Sequence, residues 1–93
     1  MDVNEIYSLT LKQEVLTEKA AGVMAEAMRG FFDAQDEDDD IMAAVYDDII
    51  KLAAQIQANL IDSSNFSLVA LENIHGQLDS LATITANSLK RAA

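Results

Sequence analysis

The chain has 93 residues, sixteen acidic and six basic side chains, a formal net charge of −10, and no cysteine. That length allows one domain near the lower limit of a self-sufficient core, and the missing cysteine excludes disulfides, thiolate metal sites and thiol nucleophiles. The charge disfavours direct binding to nucleic acid or anionic membranes, whose phosphates need neutralising cations.

Acids at Asp2 and Glu5 precede the first basic residue, Lys12, which is the wrong polarity for a secretory signal. No apolar run approaches the ~20 residues that span a bilayer. A soluble, cytoplasmic protein is expected, and the lack of cysteine suits a reducing compartment.

Proline is absent, glycine is scarce, and about half the residues are apolar, so helix is favoured throughout by propensity and by pattern. A first helix is expected from Asp2, which has capping-box spacing with Glu5. Thr10 and Gln13 repeat that spacing, which leaves room for a break near Ser8 to Thr10. From Leu16 the stripe Leu16, Ala20, Val23, Ala27 and Phe31 alternates steps of four and three, widened by Met24, Met28 and Phe32. Gly30 loosens the helix near its end, and the run from Asp33 to Asp40 terminates it.

Asp39 or Asp40 is the expected cap of a second helix, where a carboxylate complements the positive helix end. Its stripe is Val45, Ile49, Leu52, Ile56 and Leu60, flanked by Ile41, Met42, Ile50, Ala53 and Ile61. The stretch from Asp62 to Asn65 reads as a turn, after which Leu71, Ile74, Leu78 and Leu81, then Ile84, Thr85 and Leu89, define a third helix. Lys90 and Arg91 complement the dipole at its end.

The spacing therefore predicts a single all-α domain over the whole chain. Its helices span about 3–32, 41–61 and 66–90, arranged as an antiparallel, up-down-up three-helix bundle. The apolar face of the second helix is wider than one stripe, and small chains gain stability by pairing, so a homo-oligomer is expected.

Catalysis has little to work with. The only histidine is His75, no nucleophile elbow accompanies the serines, and three separated glycines make no phosphate-binding loop. Glu72 and His75 have the E-x-x-H spacing of carboxylate-bridged di-metal bundles, but the further carboxylates would have to come from Glu18, Glu26 or Asp48. A boundary histidine beside Leu71, Ile74 and Leu78 is the simpler reading, and no metal or cofactor is expected. Asp36, Asp38, Asp40 and Asp47 fall at the first, third, fifth and twelfth places of an EF-hand-like loop. Ile41, however, stands where that loop needs glycine, and its last position needs glutamate.

Binding remains as the function class: a small non-enzymatic protein that regulates or inhibits another protein. The expected contact surface joins Phe31, Phe32, Asp36, Glu37, Asp38, Asp39 and Asp40 with the second apolar edge of helix two, Ile41, Met42 and Ile50. Aromatic anchors beside a dense negative patch combine burial with steering towards a basic surface. An alternative is an anti-defence protein of a phage or mobile element, of anti-restriction or anti-CRISPR type, using the acidic loop as a local nucleic-acid mimic. Six of the sixteen acids lie between Asp33 and Asp40, which argues against a mimic spread over the whole body. A further alternative is an oligomer that sequesters a small anionic ligand through Tyr7, Tyr46, Lys12, Lys19 and Lys51.

Overall fold

The computed structural model describes residues 2–62 and 66–92, with side chains described as far as residue 90. Three helices account for nearly all of it: α1 (Val3–Asp36), α2 (Asp40–Asp62) and α3 (Leu68–Ala92). No strand occurs among the described residues. The long dimension of 53 Å is set by α1, whose rise of 1.5 Å per residue makes it about as long as the molecule.

Each helix is punctuated by its own sequence. Asp2 caps α1, its Oδ1 accepting the Glu5 N–H at 2.8 Å. The helix runs unbroken through residues 8–10, without the break for which the repeated capping spacing left room, because Thr10 does not act as a cap. Its hydroxyl donates back to the Ile6 carbonyl at 3.0 Å, a bond compatible with helix interior. The helix also continues four residues past Phe32, so Asp33 and Asp36 belong to its last turn rather than to a loop.

The α1–α2 connection is a helix-terminating turn of Glu37, Asp38 and Asp39. The Asp39 N–H donates to the Ala34 carbonyl at 2.8 Å and the Asp38 N–H to Gln35 at 3.1 Å. Asp38 takes the left-handed conformation, with φ 56°, that this crossed pattern requires at its central residue. Asp39 then caps α2, its Oδ1 accepting the Met42 N–H at 3.1 Å. Ser67 caps α3 in the same way, its Oγ accepting the Ala70 N–H at 3.1 Å. The turn expected over residues 62–65 lies largely outside the described residues.

The packing is up-down-up. Gln13 Nε2 donates to the Leu60 carbonyl and Gln57 Nε2 to Thr17, while Gly30 meets Tyr46, so residue numbers fall along α2 as they rise along α1. Lys19 pairs with Asp79, and Val23 and Ala27 share a core with Leu81 and Leu89, so α3 runs parallel to α1. α3 rests mainly on α1 and touches α2 lightly.

Two apolar clusters fill the interior. One gathers Val23, Ala27, Ala34, Tyr46, Ile49 and Ala53; the other joins Leu16, Ala20 and Leu60 to Leu71 and Leu78. Ala20, Ala27 and Ala34, spaced by seven, are all buried and form a small-residue seam along α1. Small residues at a helix contact let the axes approach closely.

One expected core position is given up and another residue takes its place. Leu52 is 50% exposed, whereas Tyr46, expected only as a contact for a small anionic ligand, is 1% exposed. The α2 stripe therefore runs through Tyr46, Ile49, Ala53 and Leu60. Large residues on α2 yield to the alanine seam of α1, and the ring of Tyr46 fits because Gly30 opposes it. Thr85 is buried as a core member, its hydroxyl donating to the Leu81 carbonyl at 2.7 Å.

Candidate protein-interaction surface

The residues expected to bind a partner lie at one end of the bundle, around the α1–α2 turn. Phe32 is 56% exposed and Ile41 79% exposed, while Asp36, Glu37, Asp38 and Asp40 point to solvent. Phe31 packs edge-on against Phe32, with ring centroids 5.7 Å apart, and is itself half-buried. Met42 and Ile50 pack against the core and leave only part of their surface free. The second apolar edge of α2 is thus largely consumed by α1, leaving Ile41, Leu52 and Ile61 exposed as separated side chains.

The contiguous exposed apolar surface is elsewhere, on the N-terminal half of α1. Val3, Tyr7, Leu11 and Val15 are all exposed, and a spacing of four sets them along one helix face. Ile6 widens this face, and exposed Leu68 extends it across the start of α3. Sequence reasoning passed over this stripe because the cleaner pattern from Leu16 onward drew the helix face elsewhere. The repeated four-residue step from Val3 to Val15 is the signal that identifies it.

Between these two helices lies a cleft of about 420 Å³, lined by Ser8, Leu11, Lys12, Val15 and Leu16 of α1 and by Leu68, Leu71, Glu72 and His75 of α3. Its walls are mostly apolar, and Ser8, Lys12, Glu72 and His75 supply polar groups; the last three are ionisable. The helix register brings these three together: α3 runs parallel to α1, so its first two turns face residues 8–16.

Polar links brace this region. Lys19 pairs with Asp79, and His75 Nδ1 lies 3.4 Å from Asp79 Oδ2. The hydrogen bond from Lys19, with the nearby His75, holds the Asp79 carboxyl below its ordinary range. On α2, Asp47 accepts from Lys51 at 2.8 Å and raises the ammonium above its usual value. Glu26 pairs with Arg29 at 2.5 Å.

These placements separate the candidates for small-ligand and metal chemistry. Lys12 lines the cleft, but Lys19 is tied to Asp79, Lys51 to Asp47, and Tyr46 is buried at the far end. Glu72 and His75 share the cleft, without Glu18, Glu26 or Asp48 lining it. Among the described residues, no three His, Asp or Glu side chains come together to hold a metal ion. Asp36 closes α1 and Asp40 opens α2, so the EF-hand-like spacing is broken by helix at both ends. No helix among the described residues is long and apolar enough to cross a membrane.

No curated protein and no solved structure matches the chain. The family model of the bacterial epsilon antitoxins matches it over residues 5–88, from the first turn of α1 through α2 and most of α3. The chain belongs to the bacterial epsilon antitoxin family.

Proposed function

We propose that the chain is a non-enzymatic inhibitor that binds a bacterial toxin protein and holds it inactive by covering its surface. The observation that carries this reading is the exposed stripe Val3, Tyr7, Leu11 and Val15 beside the apolar cleft. Contiguous apolar surface on a small, highly charged protein marks an interaction site. Family membership supplies the occupant, a toxin.

The geometry suits recognition of a helix face by a groove. A rigid α1 presents Tyr7, Leu11 and Val15 in one row for burial, and the cleft behind them accepts an apolar side chain from the partner. Lys12, Glu72 and His75 at its edge fix orientation through directional polar contacts. At the other end, Asp36, Glu37, Asp38 and Asp40 with Phe32 and Ile41 form a second contact, for a basic area of the toxin. Dense negative charge there speeds encounter with a positive surface. The toxin and its inhibitor would share the cytoplasm. A second copy of the chain is the other occupant the stripe suits, so a homo-oligomer is read out in the same test.

In bacteria producing the cognate toxin, co-expression of the chain restores growth. Combining Leu11→Glu with Val15→Glu abolishes the rescue while circular dichroism shows the helices intact. Neutralising Asp36, Glu37, Asp38 and Asp40 to their amides slows association by about tenfold and leaves rescue in place. Failure of the unaltered chain to rescue refutes the inhibitor reading. Rescue that survives the two glutamates refutes the placement of the surface. Sedimentation of the chain, alone and with toxin, distinguishes a dimer that persists from one that the toxin displaces.

A further inference from the structure

The end of the bundle opposite the α1–α3 cleft carries a second, smaller concavity of about 160 Å³. Asp33 borders it from the end of α1, Glu37 and Asp39 from the turn, and Leu89 closes it from α3. Gly30, Ala34 and Met42 complete an apolar wall. Tyr46 also lines it, and its hydroxyl is shielded from solvent and makes no hydrogen bond. It is the sole buried side-chain polar atom in that condition among the described residues. Buried hydroxyl groups almost always have partners, so an orphaned one at the edge of a concavity points to a ligand.

The phenol lies close enough to Asp33 and Asp39 for both carboxylates to oppose its ionisation, in addition to the effect of burial. The hydroxyl and the carboxylates therefore share one neighbourhood. We propose that this concavity binds a long basic side chain, arginine or lysine, presented by the partner protein. The partner's identity rests on the toxin-inhibitor reading, whereas the chemistry rests on the site itself.

Each part of the site matches part of such a side chain. The aliphatic stem lies along Gly30, Ala34, Met42 and Leu89, as basic side chains bury their methylenes while the charged head stays polar. The head then meets Asp33, Glu37 and Asp39, with the Tyr46 oxygen accepting one N–H. Asp39 also keeps its capping bond to Met42 N–H through Oδ1. A bare metal ion suits the site less well, because the carboxylates do not converge on one point. A guanidinium or ammonium directs several N–H donors outward to separate acceptors.

The test uses n-butylguanidinium chloride as the probe, titrated into the ¹⁵N-labelled chain and followed by amide chemical shifts. Tetramethylammonium chloride at the same ionic strength is the control, since it carries charge but no N–H donor. Expected are saturable shifts centred on Gly30, Ala34, Met42 and Leu89 with the guanidinium alone. Tyr46→Phe and Asp33→Asn, which preserve shape, each weaken binding by about tenfold. Equal shifts from both salts, or undiminished binding in Tyr46→Phe, overturn the site and reduce it to a solvated acidic end.

The same Asp33→Asn variant weakens the toxin complex about tenfold if the side chain comes from the toxin. Unchanged toxin affinity alongside a normal probe titration overturns that assignment of the ligand. Should the unaltered chain form no toxin complex, the inhibitor reading fails and the probe titration alone decides the site.

Discussion

Gly30 and Tyr46 form a matched pair: a Cβ placed on Gly30 would lie 2.5 Å from both Cε1 and Cζ of the tyrosine ring. The glycine serves as a socket inside a continuous helix, where its backbone freedom is of no use. A ring that is 1% exposed has little room to retreat. Gly30→Ala should therefore lose about 1–3 kcal/mol to overpacking, against only ~1 kcal/mol gained in helix propensity. Urea unfolding measures the balance, and a midpoint at or above the parent's would mean that the ring swings aside. Adding Tyr46→Leu should be less than additive with Gly30→Ala, because the two residues share one space.

Tyr46→Phe removes the hydroxyl that has no partner and keeps the ring. Stability should rise by ~1 kcal/mol or hold, since an unsatisfied buried polar group is destabilising. Burial, Asp33 and Asp39 together raise the tyrosine above its ordinary 10.0. A raised folded value means that its contribution is fully present below the unfolded value and is lost as pH rises through the folded one. The parent should thus lose stability above pH 10.0 more steeply than Tyr46→Phe, as thermal melts across the alkaline range would show. Parallel profiles would contradict the burial of the phenol.

The α1–α2 turn makes two opposite predictions at adjacent positions. Asp38 holds φ 56°, which glycine adopts without steric penalty, so Asp38→Gly should be neutral or stabilising by up to ~1 kcal/mol. Asp39 supplies the cap of α2, and Asp39→Ala should cost about 1 kcal/mol. Chemical denaturation of both variants tests the pair. Equal losses at the two sites would mean that charge, rather than conformation, governs the turn.

Asp79 joins α1 to α3 through Lys19, with His75 at its other oxygen. Its carboxyl is held below the ordinary 3.8, so its contribution is present above the normal carboxylate range and disappears as pH falls through the lowered value. Asp79→Asn should be less stable than the parent near neutrality and indistinguishable from it in strong acid. Asp79 is exposed and Lys19 only half-buried, so the difference should shrink in high salt. A difference that persists in strong acid would mean the asparagine disturbs packing instead.

The helices and their order were legible in the residues because helix propensity, capping spacing and a period of 3.6 are local. Asp2 with Glu5, the Leu16–Ala20–Val23–Ala27 stripe and the carboxylate cap before Met42 each act within a few residues of one another. The coarse class of function expected from the residues, a small protein that inhibits another protein, agrees with the family to which the chain belongs. Composition also explains why α1 holds together through residues 8–10 once Thr10 bonds backward to Ile6.

Tertiary structure alone decided which apolar residues are core and which are surface. On a helix as apolar as α2, periodicity permits more than one face. Contact with the alanine seam of α1 selected Tyr46 over Leu52. The same selection left Val3, Tyr7, Leu11 and Val15 uncovered, since α3 begins at Leu68 and packs beside α1 rather than over its exposed face. It also set Lys12, Glu72 and His75 around one cleft, and Asp33, Asp39 and Tyr46 around another. Those groupings depend on the register between helices, a long-range quantity fixed by side-chain packing and by the Gly30–Tyr46 fit. Local sequence determined the elements, and packing between them determined the sites.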